Sequence, residues 1–133
     1  MRGVENTGYT GEFDDWPNQY EDFRLAQAKF YQNTGRPDEA FAVYNEAIYE
    51  ASSDVRLQAR LLYERAKLFI ESQAYRQAIE DLNASWQRLD KSDPEETEAM
   101  AGLFQSQYSR AAHGLARHLA SQLKMPGDQK LSA

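Results

Sequence analysis

The chain of 133 residues contains no cysteine. This absence excludes a disulfide framework, a thiolate nucleophile and any zinc site built on cysteine ligands. A chain without cysteine can function in an oxidising or a reducing compartment, so the cysteine content alone does not fix the location of the protein.

Long apolar runs are also missing. No stretch approaches the ~20 apolar residues that a membrane-spanning helix needs, so we predict no membrane insertion. The N-terminal sequence Met-Arg-Gly-Val-Glu-Asn lacks the apolar core of a signal peptide. These features predict a cytoplasmic protein, although a mature domain whose leader had been removed would have the same features.

Basic residues are in deficit, with 15 Lys and Arg against 21 Asp and Glu and a formal net charge of −6. Because phosphate contacts require clustered Lys and Arg, the composition argues against a general nucleic-acid binder and predicts no nucleic-acid partner. Hydrophobic residues make up 41% and charged residues 27% of the chain. These fractions are typical of a globular protein, and the length suits one domain.

Motifs of catalytic sites are absent as well. His113 and His118 stand five residues apart, whereas a spacing of four places two metal ligands on one face of a helix. The sequence contains neither a Gly-rich phosphate loop nor a nucleophile elbow. We therefore predict a protein that is not an enzyme, with no catalytic residue, no metal site and no cofactor.

Helical periodicity is what the sequence does contain. Between residues 20 and 125, apolar residues recur at spacings of three and four, which predicts an all-α domain. The predicted elements are two helical hairpins, over 20–51 and 54–89, and a long helix over 94–124. Residues 1–19 lack this period and predict an extended arm, and residues 126–133 predict a flexible tail.

Local signals mark the ends of the predicted helices. Gly35 is suited to a left-handed conformation after the first helix, and Pro37 to the first turn of the second. Asp54 predicts the N-cap of the second hairpin, and the run Ser-Asp-Pro-Glu-Glu at 92–96 predicts the start of the fifth helix. The apolar face of the first helix is predicted to comprise Phe23, Ala26, Phe30 and Tyr31.

The two hairpins repeat with an offset of 38 residues. This offset superposes Ala28 on Ala66 and Ala40 on Ala78. Small residues at these positions allow two helices to cross closely. The other superposed pairs are Tyr31 with Phe69, Tyr44 with Leu82, and Ala47 with Ser85.

This pattern of small and large residues resembles the tetratricopeptide repeat over about residues 22–90. The resemblance implies a right-handed superhelix of two hairpins that the long C-terminal helix caps. Three features depart from the family: the offset of 38 exceeds the usual period of about 34, Arg65 stands where an apolar residue is usual, and no glycine closes the second hairpin.

In this family the first helix of each hairpin lines a concave groove that binds extended segments of other proteins. The family's clamp for a C-terminal carboxylate is matched only in part, by Lys29, Arg60 and Lys67, so we do not predict that specificity. The groove residues that the resemblance implies are Asp22, Leu25, Lys29, Gln32, Asn33, Arg60, Tyr63, Glu64, Lys67 and Glu71.

Opposite charges mark the two ends of the chain. Residues 1–23 contain six carboxylates and one arginine, with aromatic residues between them. The fifth helix carries a basic stripe of Arg110, His113, Arg117 and Lys124. We predict that the arm docks through Tyr9, Phe13 and Trp16 on the protein's own groove or stripe, or on a partner.

These inferences together predict a protein-binding module, an adaptor or assembly factor, whose partner is a protein or peptide segment. Two alternatives stay open within the same reasoning. One is a structural subunit of a larger complex, with homo-oligomerisation included, and the other is a small secretion-type chaperone.

Overall fold

The computed structural model describes Trp16 and residues 22–132, with side chains as far as residue 123. Five α-helices and no strand occur in this part of the chain, so the predicted all-α class is confirmed. The helices are α1 (Phe23–Asn33), α2 (Pro37–Glu50), α3 (Val55–Glu71), α4 (Tyr75–Arg88) and α5 (Pro94–Ser132).

Each helix packs against the next one along the chain. α1 packs on α2 and α3 packs on α4, each pair across a short turn, and α2 joins the two hairpins by packing on α3. α5 packs mainly on α4 and also touches α3. α3 therefore lies at the centre of the protein, where it packs on α2 and α4 and also touches α5.

Aspartate side chains begin three of the helices. Asp22 Oδ1 accepts a hydrogen bond from the backbone N–H of Leu25 at 3.0 Å, and Asp54 Oδ1 accepts one from Leu57 at 3.2 Å. Asp93 Oδ1 accepts from the backbone N–H of Glu95 at 3.0 Å. Each carboxylate pairs with an N–H that the first helical turn leaves without a partner. Because Asp22 is the cap, α1 begins at Phe23 and not at the predicted residue 20.

The turns inside the two hairpins have the same geometry. Gly35 adopts a left-handed backbone with φ of 74°, as predicted, and Gln73 adopts one with φ of 64°. In the first turn the Arg36 N–H donates to the carbonyl of Tyr31 at 2.8 Å. In the second, the Ala74 N–H donates to the carbonyl of Phe69 at 2.8 Å. Both are Schellman caps, and they lie 38 residues apart.

We expect Gln73→Gly to raise the free energy of unfolding by about 0.5–1 kcal/mol, because a Cβ atom destabilises the left-handed conformation. Gly35→Ala should lower the free energy of unfolding by about 1 kcal/mol for the same reason. No neighbouring atom lies within 4 Å of the added Cβ atom, so no steric clash adds to this loss. Urea denaturation measures both changes.

Gln77→Gly is the matched control for this pair. Gln77 is exposed within α4, where the backbone is helical, so glycine there should lower the free energy of unfolding by about 1 kcal/mol. A loss of stability in Gln73→Gly as well would contradict the assigned role of the left-handed turn.

α1 presents a different face to the core from the one predicted. Phe23 is 77% exposed and Phe30 is 57% exposed, whereas Leu25 and Ala28 are buried. The reason is the close crossing of α1 and α2, in which Ala28 and Ala40 are both fully buried. That crossing fixes the rotation of α1 about its axis and turns both phenylalanines outward.

The second hairpin contains the same close crossing. Ala66 of α3 and Ala78 of α4 are fully buried, as are their counterparts in the first hairpin. α3 contributes to both hydrophobic clusters, with Leu61 and Leu68 in the first and Tyr63, Ala66 and Ile70 in the second. α3 therefore forms part of the hydrophobic core of both hairpins.

Arg65, which departs from the family pattern, joins three helices. Its Nε and Nη2 atoms lie 2.7 and 2.8 Å from the two carboxylate oxygens of Asp81 on α4. Its Nη1 donates to Asn45 Oδ1 on α2 at 2.8 Å. Burial raises the pKa of Asp81, and the opposing effect of the Arg65 guanidinium is smaller. Arg65 therefore links α3 to α4 through a bidentate ion pair and α3 to α2 through a hydrogen bond.

α5 is a single helix whose end differs from the one predicted. Gly114, within this helix, allows it to approach α4, because a Cβ atom there would lie 2.3 Å from Tyr75 Cε1. The helix also continues to Ser132, through Pro126 and Gly127, past the end predicted at residue 124 and into the predicted tail. A proline inside a helix removes one i→i−4 hydrogen bond and crowds the carbonyl four residues before it, which can bend a helix without ending it.

Candidate partner-binding groove

A polar pocket of about 160 Å³ lies where α1, α3 and α5 face one another. These are alternate helices in the chain order, and each contributes at least two side chains to the pocket. Its walls are formed by Lys29, Gln32 and Asn33 of α1, by Glu64, Lys67 and Glu71 of α3, and by Gln107 and Arg110 of α5. We call this site the polar groove.

Glu64 provides the electrostatic centre of the polar groove. Its carboxylate is 2% exposed and lies 3.0 Å from Arg60 Nε within α3. Lys67 Nζ lies 3.4 Å and Lys29 Nζ 3.7 Å from the same carboxylate. The contact with Lys29 links α1 to α3 across the groove. One buried anion therefore positions cations on two helices.

The groove combines charge with amide groups. Lys29, Lys67 and Arg110 supply three positive charges, against the carboxylates of Glu64 and Glu71. The amides of Gln32, Asn33 and Gln107 each carry donor N–H groups and an acceptor oxygen. Gln32 Oε1 already accepts from the Tyr44 hydroxyl, and Gln107 Oε1 accepts from Arg110 Nη1 at 2.9 Å. These groups can bind carboxylates and the backbone of an extended segment.

The structure brings together six of the ten groove residues predicted from the sequence. These are Lys29, Gln32, Asn33, Glu64, Lys67 and Glu71. Asp22 instead caps α1, and Leu25 is buried in the first hairpin because α1 is rotated from its predicted orientation. Arg60 and Tyr63 lie on the same side of α3 but are covered by another residue of the chain.

Trp16 is the residue that covers them. Its ring centroid lies 5.1 Å from that of Tyr63 on α3 and 6.3 Å from that of Phe104 on α5. The Arg60 guanidinium carbon lies 5.4 Å from the centre of the indole ring, at the distance of a cation–π contact. Trp16 is only 6% exposed. We call the site formed by Arg60, Tyr63 and Phe104 the tryptophan socket.

Comparison of the chain with protein-family models, with curated proteins and with solved structures finds no match. The polar groove and the tryptophan socket are therefore interpreted from their own residues. Among the described residues, no helix combines the length and the apolar character needed to cross a membrane. In the same part of the chain, no three His, Asp or Glu residues are grouped as ligands for a metal ion.

Only some of the remaining predicted site residues lie within the part of the chain that the structure describes. Tyr9 and Phe13 of the arm lie outside the described residues, as does the side chain of Lys124. Within the basic stripe, Arg110 lines the polar groove, while His113 and Arg117 are exposed on α5.

Sequence reasoning missed the contribution of α5 to the groove. Gln107 and Arg110 line it, although the prediction took groove residues only from the first helix of each hairpin. The signal was available in the alternation of helices, since α5 follows α3 as α3 follows α1. Arg60 and Glu64, which the resemblance implies as groove residues, are each only 2% exposed.

Proposed function

We propose that this protein is an adaptor or assembly factor that binds an extended segment of another protein along the polar groove. The observation that carries the proposal is the convergence of eight polar side chains from α1, α3 and α5 on one concave site. α1 and α5 pack in separate hydrophobic clusters, and α3 contributes to both, which holds these groups in place. A preorganised site loses less entropy when a partner binds.

The chemistry of the groove fits an extended segment. The backbone of such a segment carries unpaired N–H and C=O groups, which the amides of Gln32, Asn33 and Gln107 can bind. Lys29, Lys67 and Arg110 would favour a segment with carboxylates by charge complementarity.

A tetratricopeptide-like architecture is part of this proposal. The two Schellman turns and the two alanine crossings repeat with the same offset, which supports a repeat of one structural unit. α5 would cap the array, because Met100, Phe104 and Ala111 cover the apolar side of the second hairpin. The absence of enzymatic activity and a cytoplasmic location stay predictions from the sequence.

The test compares the proteins that the immobilised wild type and a Lys29→Gln/Arg110→Gln variant capture from cell extract. We expect the variant to lose the partner, because two of the three cations of the groove are gone while Lys67 and Arg60 still pair with Glu64. Binding of the purified partner, measured by calorimetry, should weaken by roughly tenfold or more, since each charge-assisted contact contributes about 1.5–3 kcal/mol.

Arg76→Gln/Arg117→Gln is the matched control, because it removes two positive charges at exposed positions of α4 and α5 outside the groove. This control should bind the partner as the wild type does. If both double variants capture the same proteins as the wild type, the polar groove is not the binding site.

The exposed aromatic side chains favour a structural subunit as the second candidate. Phe23 and Phe30 are both exposed and lie about two turns apart on one side of α1, and Tyr49 of α2 is 82% exposed. Exposed apolar residues on one region mark interaction surfaces in other proteins. Loss of the partner in Phe23→Ser/Phe30→Ser, with binding retained in Lys29→Gln/Arg110→Gln, would favour this candidate.

A further inference from the structure

The tryptophan socket and the polar groove are neighbours along the same two helices. On α3, Arg60 of the socket lies one turn before Glu64 of the groove, and Tyr63 lies one turn before Lys67. On α5, Phe104 of the socket lies one turn before Gln107 of the groove. A segment bound along the groove would reach the socket, which Trp16 occupies.

The sequence that carries Trp16 is acidic, whereas the surroundings of the socket contain charges of both signs with a small excess of basic side chains. Asp14 and Asp15 precede Trp16 in the sequence. Arg60 stacks on the indole ring, and an adjoining cavity of about 200 Å³ is bordered by Trp16. The basic residues that line this cavity are Arg56, Arg88 and Lys91, and its acidic residues are Asp90 and Glu96. Basic side chains therefore lie on both sides of the socket.

We propose that the tryptophan socket anchors a tryptophan carried on an acidic segment of the partner protein, and that Trp16 is the resident occupant which this segment displaces. The inference rests on the proposed function and adds the chemistry of the partner. Buried aromatic anchors of this kind contribute much of the binding energy at protein interfaces. Trp16 precedes α1 in the sequence, so its release unwinds no helix, although it removes one ring from the hydrophobic cluster of Tyr63 and Phe104.

Competition by Trp16 sets the expected size of the effect. When an internal group fills a site for a fraction of the time, the apparent affinity for an external ligand falls in proportion to the fraction that is free. If Trp16 fills the socket about nine-tenths of the time, its removal should strengthen external binding about tenfold.

The probe is a fluorescein-labelled peptide with the sequence of residues 9–19, which contains the aspartates and the tryptophan. Fluorescence anisotropy measures its binding to the full-length wild type and to full-length Trp16→Ala, with circular dichroism as the check that the variant is helical. We expect Trp16→Ala to bind the peptide about tenfold or more tightly than the wild type does. Equal binding by the two proteins would overturn the proposal.

Two control peptides separate the aromatic anchor from the charge. Replacing the peptide's tryptophan by alanine should abolish its binding, and replacing both aspartates by asparagine should weaken it and reduce its salt dependence. If the alanine peptide binds as well as the parent peptide, the socket does not recognise tryptophan, and the proposal fails.

A second variant keeps the test valid if Trp16→Ala does not fold. Asp14→Lys/Asp15→Lys retains Trp16 but reverses the charge beside it, so the resident segment should hold the basic surroundings less well. We expect this variant to bind the peptide several-fold more tightly than the wild type. Binding no tighter than that of the wild type would contradict the proposal.

The results separate this inference from the proposed function. One outcome is that the peptide does not bind while the Lys29→Gln/Arg110→Gln variant still loses the partner. That result would contradict the proposed tryptophan anchor but would still support binding in the polar groove. Size-exclusion chromatography tests another occupant. If the wild type is a dimer that the peptide converts to a monomer, the arm of a second copy fills the socket and the internal occupant proposed here is wrong.

Discussion

Phe104→Ala is expected to lower the free energy of unfolding by about 3–5 kcal/mol, a large part of the stability of a small domain. The Phe104 side chain is 2% exposed. Its ring centroid lies 5.0 Å from that of Tyr63 on α3 and 5.3 Å from that of Trp86 on α4. Truncation leaves a cavity at the point where α5 meets both helices, and the surrounding rings cannot all close it. Urea denaturation followed by circular dichroism measures the loss.

Phe30→Ala provides a control with the same chemical change. Phe30 is 57% exposed on the outer face of α1 and contacts the ring of Tyr31. Its truncation should cost about 1 kcal/mol or less, because little apolar surface is removed from the interior. Equal losses in the two variants would show that α5 does not depend on Phe104 for its packing.

Glu64→Ala is expected to lower the free energy of unfolding by about 3–5 kcal/mol, for an electrostatic reason. Glu64 and Arg60 are each 2% exposed, and the Arg60 guanidinium lies 3.0 Å from the carboxylate. Removal of Glu64 takes a counter-ion from a buried cation and increases the repulsion among Arg60, Lys29 and Lys67. Thermal unfolding in low and high salt measures the loss, and salt should reduce it in part.

Two further variants test this explanation. Glu71→Ala removes an exposed carboxylate from the same groove, and it should cost about 1 kcal/mol or less. Arg60→Met/Glu64→Leu replaces both buried charges by apolar groups, and its stability should exceed that of Glu64→Ala because no charge of the pair is left alone. If the double variant is the less stable of the two, burial of an unpaired charge is not the cause.

Features that depend on neighbouring residues could be predicted from the sequence. Asp54 caps α3 as expected, and Gly35 closes the first hairpin in the left-handed conformation. The close crossings follow from alanines at matched positions, all fully buried in the structure. Each of these features is determined by bonds or contacts within one helical hairpin.

Features that depend on distant contacts could not be predicted in the same way. Phe23 and Phe30 have the spacing of a buried face but point outward, because the crossing of Ala28 with Ala40 sets the rotation of α1. Gln73 adopts the left-handed conformation that is expected of a glycine, and no glycine in the sequence marks this turn. A pattern of apolar residues cannot distinguish a face that packs on the next helix from one left exposed.

The groove shows the same division. The groove residues on α1 and α3 could be predicted in part, because the tetratricopeptide resemblance implies that these helices line a groove. The burial of Arg60 and Tyr63 could not, because it depends on Trp16. Trp16 is far from both in the sequence, and no local motif indicates where its side chain packs. Arg60 and Tyr63 on α3 are therefore predicted to lie on an open groove, whereas in the structure Trp16 covers both.

The matching turns at Gly35 and Gln73 also make the hairpin a unit by which the chain can be lengthened. A second copy of residues 36–73 inserted after residue 73 would begin with Arg36 at the position that Ala74 occupies in the native turn. The cap formed by Gln73 would then lead into another hairpin with the same backbone geometry, and α5 would still follow the last one. Arrays whose units contact only their neighbours tolerate such duplication. Such a duplication would lengthen the array by one hairpin and would separate Trp16, which precedes α1, from Phe104 of α5.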